Sequence, residues 1–157
     1  MLIPVILLLA LFVSACKTSS YANYEYQSKC LGTELDGSQT IKAWGKGASR
    51  KDAVEQAKKN AIRDVVFKGI KDGDQGCQLK PLLTVINAEE KYQTYFNTFF
   101  KDGGEFTKYV SLKDERLGNQ IIREKVRGKD FSVYSVVVRV MYEDLKNKLI
   151  KDQILNQ

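Results

Sequence analysis

The stretch that most constrains the fold lies at residues 49–68. Ala53, Ala57, Ala61 and Val65 recur every four residues, and Val54, Ile62 and Val66 widen the same stripe. Lys51, Glu55, Lys58, Lys59 and Arg63 fall mostly off it. That spacing predicts an amphipathic helix over residues 50–68. Ser49 can cap its first turn, and Asp52 sits three residues on, at the end of the dipole that favours negative charge. Gly69 and Gly73 are expected to end it. Alanine side chains hold a helix close to whatever it covers, so the expected partner is a sheet.

The rest of the chain offers strands for that sheet. Residues 24–35 are mixed, with Tyr24 and Tyr26, and read as a first strand or an ordered arm. Asp36-Gly37 is a turn signal. Residues 39–45 alternate as a strand, with Ile41 and Ala43 on one face. Residues 71–80 read as a polar loop carrying Cys77, and 81–86 as a short apolar segment. Asn87-Ala88-Glu89-Glu90 resembles a capping box opening a second helix over 88–101, stopped by Gly103-Gly104. Residues 106–112 are expected to form a turn or short strand. Residues 120–127 and 131–142 flank Gly128-Lys129-Asp130, a turn of hairpin length. In the second of these strands Tyr134, Val136, Val138, Val140 and Tyr142 alternate with Val133, Ser135, Val137 and Arg139. Residues 143–155 read as a C-terminal helix with Leu145, Leu149 and Ile150 inward. The predicted order is strand, helix, helix, strand, strand, helix. It describes an α+β fold, with a mainly antiparallel sheet and helices on one face.

The first residues belong to a different kind of segment. Residues 2–13 are an apolar run, too short for a comfortable membrane-spanning helix and suited to the apolar core of a secretory signal. The run ends in Val13-Ser14-Ala15-Cys16, which resembles the lipobox of bacterial lipoproteins: small residues admit the backbone to a peptidase groove, and the thiol accepts a diacylglycerol. No lysine or arginine precedes the run, which departs from the usual pattern. The resemblance implies a signal peptide over residues 1–15 and a lipid anchor on Cys16. Residues 16–23 then form a polar tether, and 24–157 one periplasmic α+β domain. Lys17, where aspartate would favour the inner membrane, implies the outer membrane, with the periplasmic face as the default. Two or more acyl chains, at about 0.8 kcal/mol per buried methylene, make such anchoring stable.

In an oxidising compartment Cys30 and Cys77 have one intramolecular pairing available, and the alternative is two separate buried thiols. Ala43-Trp44-Gly45-Lys46-Gly47-Ala48-Ser49, followed by Ala53, Ala57 and Asn60-Ala61, is similar to the amino-terminal domain of the flagellar T-ring assembly protein. It is also similar to the related twenty-kilodalton lipoprotein family. In outline that likeness covers residues 39–142. The aromatic second helix and the Cys77 loop fall outside it. It implies a non-catalytic envelope module for assembly or scaffolding and transfers no active-site residue.

Chemistry is sparsely represented. The chain contains no histidine, the commonest general base and metal ligand, so no serine triad can be built and neither metal nor cofactor is expected. Gly45-x-Gly47 invites a phosphate-loop reading, but Arg50 stands where the dinucleotide fingerprint needs a third glycine, and a structural turn is favoured. Lys51, Lys58, Lys59, Arg63, Lys68 and Lys71 could form a basic patch. A solvated helix face is the simpler reading, and no nucleic-acid partner is expected. Glu89, Glu90, Asp114 and Glu115 are scattered carboxylates, none raised above the others. Tyr92, Tyr95, Phe96, Phe99 and Phe100 could line a partner or ligand surface, although such sets more often belong to the core. The expected function is an anchored binding or assembly module whose partner is another envelope protein. The alternative is a carrier holding a small apolar or lipid ligand among Tyr95, Phe99 and Val138. Radiolabelled palmitate should enter the wild-type protein and vanish in Cys16→Ala; equal label in both would sink the lipobox reading.

Overall fold

The computed structural model describes residues 27–74, 76–78, 80–112, 126–127 and 132–156. Residues 1–23 with Cys16, Tyr24 and Tyr26, Asp114 and Glu115, the turn at 128–130 and most of the segment 120–127 lie outside the described residues.

Strands β1 (Lys29–Thr33) and β2 (Gln39–Gly47) form an antiparallel hairpin. Its turn is held by Asp36, which accepts from the Ser38 amide at 2.9 Å and the Ser38 hydroxyl at 2.6 Å. A two-residue strand β3 (Asp72–Gly73) runs parallel to β1. On its other side β2 pairs along its full length with the last strand, from Gln39 opposite Val140 to Gly47 opposite Ser132. Before that last strand the chain makes β4 (Val110–Leu112) and β5 (Val126–Arg127). With β6 (Ser132–Val140) the sheet order is β3-β1-β2-β6-β4, and β5 also pairs with β6. The fold is α+β and its sheet mostly antiparallel, as the alternation at 39–45 and 131–142 predicts.

Helix α1 (Arg50–Arg63) crosses β2 and β6. Its capping box forms with Asp52: the Ser49 hydroxyl accepts from the Asp52 amide at 3.2 Å, and Asp52 accepts from the Ser49 amide at 3.1 Å. Ala53, Ala57 and Ala61 are 0% exposed. The reason for such closeness lies in the strand below. A Cβ at Gly45 would sit 2.0 Å from the Ala53 carbonyl oxygen and 2.3 Å from the Ala57 nitrogen; at Gly47 it would sit 2.4 Å from the Ala53 nitrogen. β2 therefore continues to Gly47 instead of turning at Gly45, and both glycines serve helix-on-strand packing. The Asn60 side-chain amide donates to the Trp44 carbonyl at 2.7 Å and fixes the same contact.

The end of α1 widens into a π turn (Asp64–Lys68), with the Gly69 amide reaching back to the Asp64 carbonyl. Gly69, at φ 73°, stops it; Gly73 is a residue of β3 and plays no part in the stop. The freed Val65 and Val66 carbonyls accept from the Leu82 and Leu83 amides at 3.0 and 2.8 Å, which explains the apolar 81–86 segment.

The expected second helix is broken. Helix α2 (Ala88–Lys91) ends at Tyr92, and α3 (Gln93–Phe99) begins after it. Asn87 makes no capping bond: it is left-handed, at φ 55°, whereas a cap needs extended backbone to swing its side chain over the first turn. A 3-10 turn (Glu105–Tyr109) leads into β4, so both a turn and a short strand occupy 106–112. Helix α4 (Tyr142–Lys151) takes Tyr142 from the expected strand and stops short of 155. Left-handed Gln153 turns the Ile154 and Leu155 amides back onto the Leu149 carbonyl.

One hydrophobic cluster joins Ile41 and Ala43 of β2, the buried face of α1, Phe96, Phe99 and Phe106, Val136, Val138 and Val140 of β6, and Leu145 and Leu149 of α4. The helices thus share the sheet face bearing Ile41 and Val138. Ile150 is only half-buried. Val133, Ser135 and Val137, which alternate with the core-facing positions, are buried too. Cys30 and Cys77 are disulfide-bonded, with Cα atoms 6.3 Å apart. The bond is joined by the Asp74 amide on the Cys30 carbonyl and the Thr33 hydroxyl on the Gly76 carbonyl. Closing 47 residues constrains the unfolded chain by about 4 kcal/mol in the entropy model.

Gly45→Ala and Ala57→Leu should each destabilise the protein by about 1–3 kcal/mol, because they overpack a backbone contact. Lys51→Leu, at an exposed position, should stay within about 0.5 kcal/mol of wild type. Lys58 is a poorer control, since it is half-buried and pairs with Glu55 at 3.5 Å. Urea midpoints decide the matter; a larger loss in Lys51→Leu would place the wrong helix face on the sheet.

Candidate interaction surface

The aromatic residues at 92–100 divide between core and surface. The break at Tyr92 turns α3 so that Phe96 and Phe99 point inward and are buried, while Tyr92, Tyr95 and Phe100 are half-buried. Edge contacts link Phe96 to Phe67 at 4.6 Å and to Tyr95 at 5.0 Å, and Phe99 stacks on Tyr109 at 6.1 Å. The set is thus mainly the outer wall of the core. Val138, the third residue of the imagined ligand cavity, is fully buried within the same cluster.

Two grooves flank α3. One, of about 540 Å³, lies between Arg63 at the end of α1 and Asn87, Glu90, Gln93 and Asn97. The other, of about 800 Å³, is lined by Tyr95, Thr98, Phe99, Gly103, Glu105 and Lys108. The first is polar, and Phe100, on its wall, carries the Arg63 guanidinium 5.9 Å from its ring centre. Arg63 also pairs with Glu89.

Beside the second groove a polar network ties α4 to α3. The Tyr95 hydroxyl donates to Asp152 at 2.6 Å, and the Lys148 ammonium lies 3.1 Å from both Asp152 and Glu105. Burial, then the bond to Asp152, raises the Tyr95 phenol far above its ordinary range, so it stays a donor. Burial would raise Asp152, but the bonds from Tyr95 and Lys148 outweigh it and hold the carboxyl below its ordinary value. Nothing in the sequence singles out Asp152 or Lys148; their four-residue spacing on α4 is the only local signal. Asp64 goes the opposite way. Burial lifts its carboxyl, against the 2.5 Å hydrogen bond from Ser28 and the nearby Lys68.

The predicted lysine face is less solvated than expected. Lys58, Lys59 and Arg63 are half-buried and paired, with Lys59 2.6 Å from Asp102 and 5.6 Å from the centre of the Phe106 ring. Their long stems lie along aromatic surface while the charges find partners. Lys51, Lys68 and Lys71 are exposed. Of the carboxylates, Glu89 is engaged by Arg63 and Glu90 is exposed on the rim of the first groove. Among the described residues no three of His, Cys, Asp and Glu are grouped to hold a metal ion, and no helix is long and apolar enough to cross a membrane.

No protein-family model, no curated protein and no solved structure matches the chain.

The two carboxyls should leave opposite pH signatures. Asp152, lowered by folding, contributes stability above its unfolded value that is lost as pH falls through the folded one. Tyr95→Phe should therefore cost about 1 kcal/mol at neutral pH and progressively less in acid. Asp64, raised by folding, contributes stability at acid pH that is lost as pH rises through its folded value. Asp64→Asn should accordingly be less harmful, relative to wild type, at pH near 7 than at pH near 4. Urea titrations at the two pH values test both; a larger Asp64→Asn penalty at neutral pH would contradict the buried-carboxylate assignment.

Proposed function

We propose that the chain is an envelope lipoprotein, anchored in the outer membrane through lipidated Cys16 and working on the periplasmic side as a non-catalytic binding or assembly module. In this reading residues 1–15 are removed, residues 16–23 are the tether, and the α+β domain meets another envelope protein. Neither nucleic acid nor a cofactor enters its function.

One conjunction carries the reading. The Val13-Ser14-Ala15-Cys16 pattern behind an apolar run is joined in one chain by the Cys30–Cys77 disulfide. Structural disulfides persist in exported proteins and are rare in reducing compartments, so the bond agrees with a secretory leader. Two further features favour binding over catalysis. The chain has no histidine. Tyr95, Asp152 and Lys148 are committed to holding α4 on α3. Val138 is buried in the core cluster while Tyr95 and Phe99 line the open second groove, so the three do not enclose one cavity; this favours a partner-binding surface over the carrier alternative, and the grooves flanking α3 are the surfaces open to that partner.

Photo-crosslinkers placed at Asn97 and Thr98, one in each groove and both exposed, should give a discrete adduct with one envelope protein in intact cells. Adducts with extracted lipid alone would favour the carrier, and a wild-type protein recovered from the cytosol would overturn the anchored reading.

A further inference from the structure

The end of the domain that receives the tether also carries exposed apolar side chains. Ser28 donates to Asp64, which fixes the start of β1 beside the last turn of α1. The Leu82 and Leu83 amides bond to Val65 and Val66 and run the 81–86 segment past that same turn. Leu82, Leu83 and Ala88 are buried, while the residues between them are exposed. A turn closed by the Ala88 amide on the Val85 carbonyl puts Ile86 and left-handed Asn87 at its apex, with Val85 at its start. Val85 and Ile86 are 48% and 87% exposed, and their buried neighbours keep the tip from folding inward.

Lysines stand at the same end of the domain. Lys68 emerges from the end of α1 with its side chain 71% exposed. Lys71 and Lys80 are exposed on either side of the Cys77 loop, with no described carboxylate within ion-pair distance. The acidic residues of this end are largely engaged: Asp72 pairs with Lys29, Glu89 with Arg63, and Asp64 with Ser28 and Lys68. Asp74 and Glu90 remain, equal in number to Lys71 and Lys80, while Lys68 stands 71% exposed above its 15% exposed partner Asp64.

We infer that this end is a second membrane contact, in which Val85 and Ile86 enter the headgroup layer of an anionic leaflet while Lys68, Lys71 and Lys80 face its phosphates. The inference deepens the anchored reading and rests on it for proximity. An extended chain from Cys16 to Gln27 reaches no more than about 40 Å, so the domain is held within reach of the bilayer. Gln27 and Ser28 enter the domain at the end where the tip stands. Branched apolar side chains partition into the interface, and each lysine near an anionic surface adds attraction. The domain would then lie with the Asp64 end of α1 toward the lipid and the β1–β2 turn away from it.

The full chain is reconstituted into vesicles of brominated phosphatidylcholine, with and without an anionic phospholipid, and tryptophan quenching is read above the Trp44 background. Ile86→Trp should be quenched on anionic vesicles, and Lys71→Gln and Lys80→Gln should each lower the docked-to-free ratio about fivefold. Leu35→Trp, still more exposed and in the β1–β2 turn at the opposite end, should stay unquenched. Hydrogen exchange of amides 84–87 in the unmodified chain should slow on anionic vesicles only. Flotation in the same samples reports the anchor separately. A chain that floats without quenching or protection at 84–87 overturns the membrane contact and leaves the anchored reading in place. A chain that neither floats nor is quenched removes both. Equal quenching on neutral vesicles, or at Leu35→Trp, also overturns the contact.

Discussion

The backbone of α1 rests directly on the backbone of β2, and the remaining architecture follows from that contact. With glycine at 45 and 47 below and alanine at 53 and 57 above, nothing larger than a methyl separates the two elements between Ala53 and Ala57. So close an approach fixes the helix's axis and its rotation together. Ile62, Val65 and Val66 are thereby aimed at the cluster that Phe96, Phe106 and Leu145 fill from the other side. Contacts between small groups bury little apolar area individually, so cohesion comes from the larger residues around them. The glycines and alanines decide where those residues meet.

Features that depend on periodicity alone were legible in the sequence. The alanine stripe, the Ser49 cap, the alternation of β2 and β6 and the inward leucines of α4 each repeat a local rule over several residues. What escaped was set by partners distant in the chain. The break at Tyr92 has no proline or glycine to announce it. It lets Phe96 and Phe99 turn into the core while Arg63 engages Glu89. Asn87 carries the right atoms for a cap, but its left-handed backbone serves the turn from Val85 instead. The glycine pair was visible as a motif and misplaced as a turn, because the meaning of a missing Cβ lies in what approaches it from elsewhere. The candidate surface was legible only in composition. Sequence marked five aromatic residues as a set, and folding divided them. The Tyr95–Asp152 bond joins residues 57 positions apart.

The polar chemistry of the described region is largely turned to holding elements together. Asp64 accepts a buried hydrogen bond at a helix end, Asp152 gathers a phenol and an ammonium, and Lys59 spans from α1 to Asp102. Carboxylates shifted by such partners resemble functional groups in their energetics while acting as fasteners.

The disulfide divides the chain in time as well as in space. Cys30 and Cys77 enclose β1, β2, α1 and β3, so this covalently closable unit is complete once residue 77 has been delivered. Its natural neighbour, β6, lies more than fifty residues further along, yet it belongs in the middle of the sheet, against the open side of β2. Whenever the chain emerges amino-terminus first, the half-made sheet therefore presents an unsealed β2 to its surroundings. Such an edge pairs readily with any extended chain it meets, and long-range strand pairing is slow to form. The wait for residues 132–140 is thus the period when the protein most needs protection.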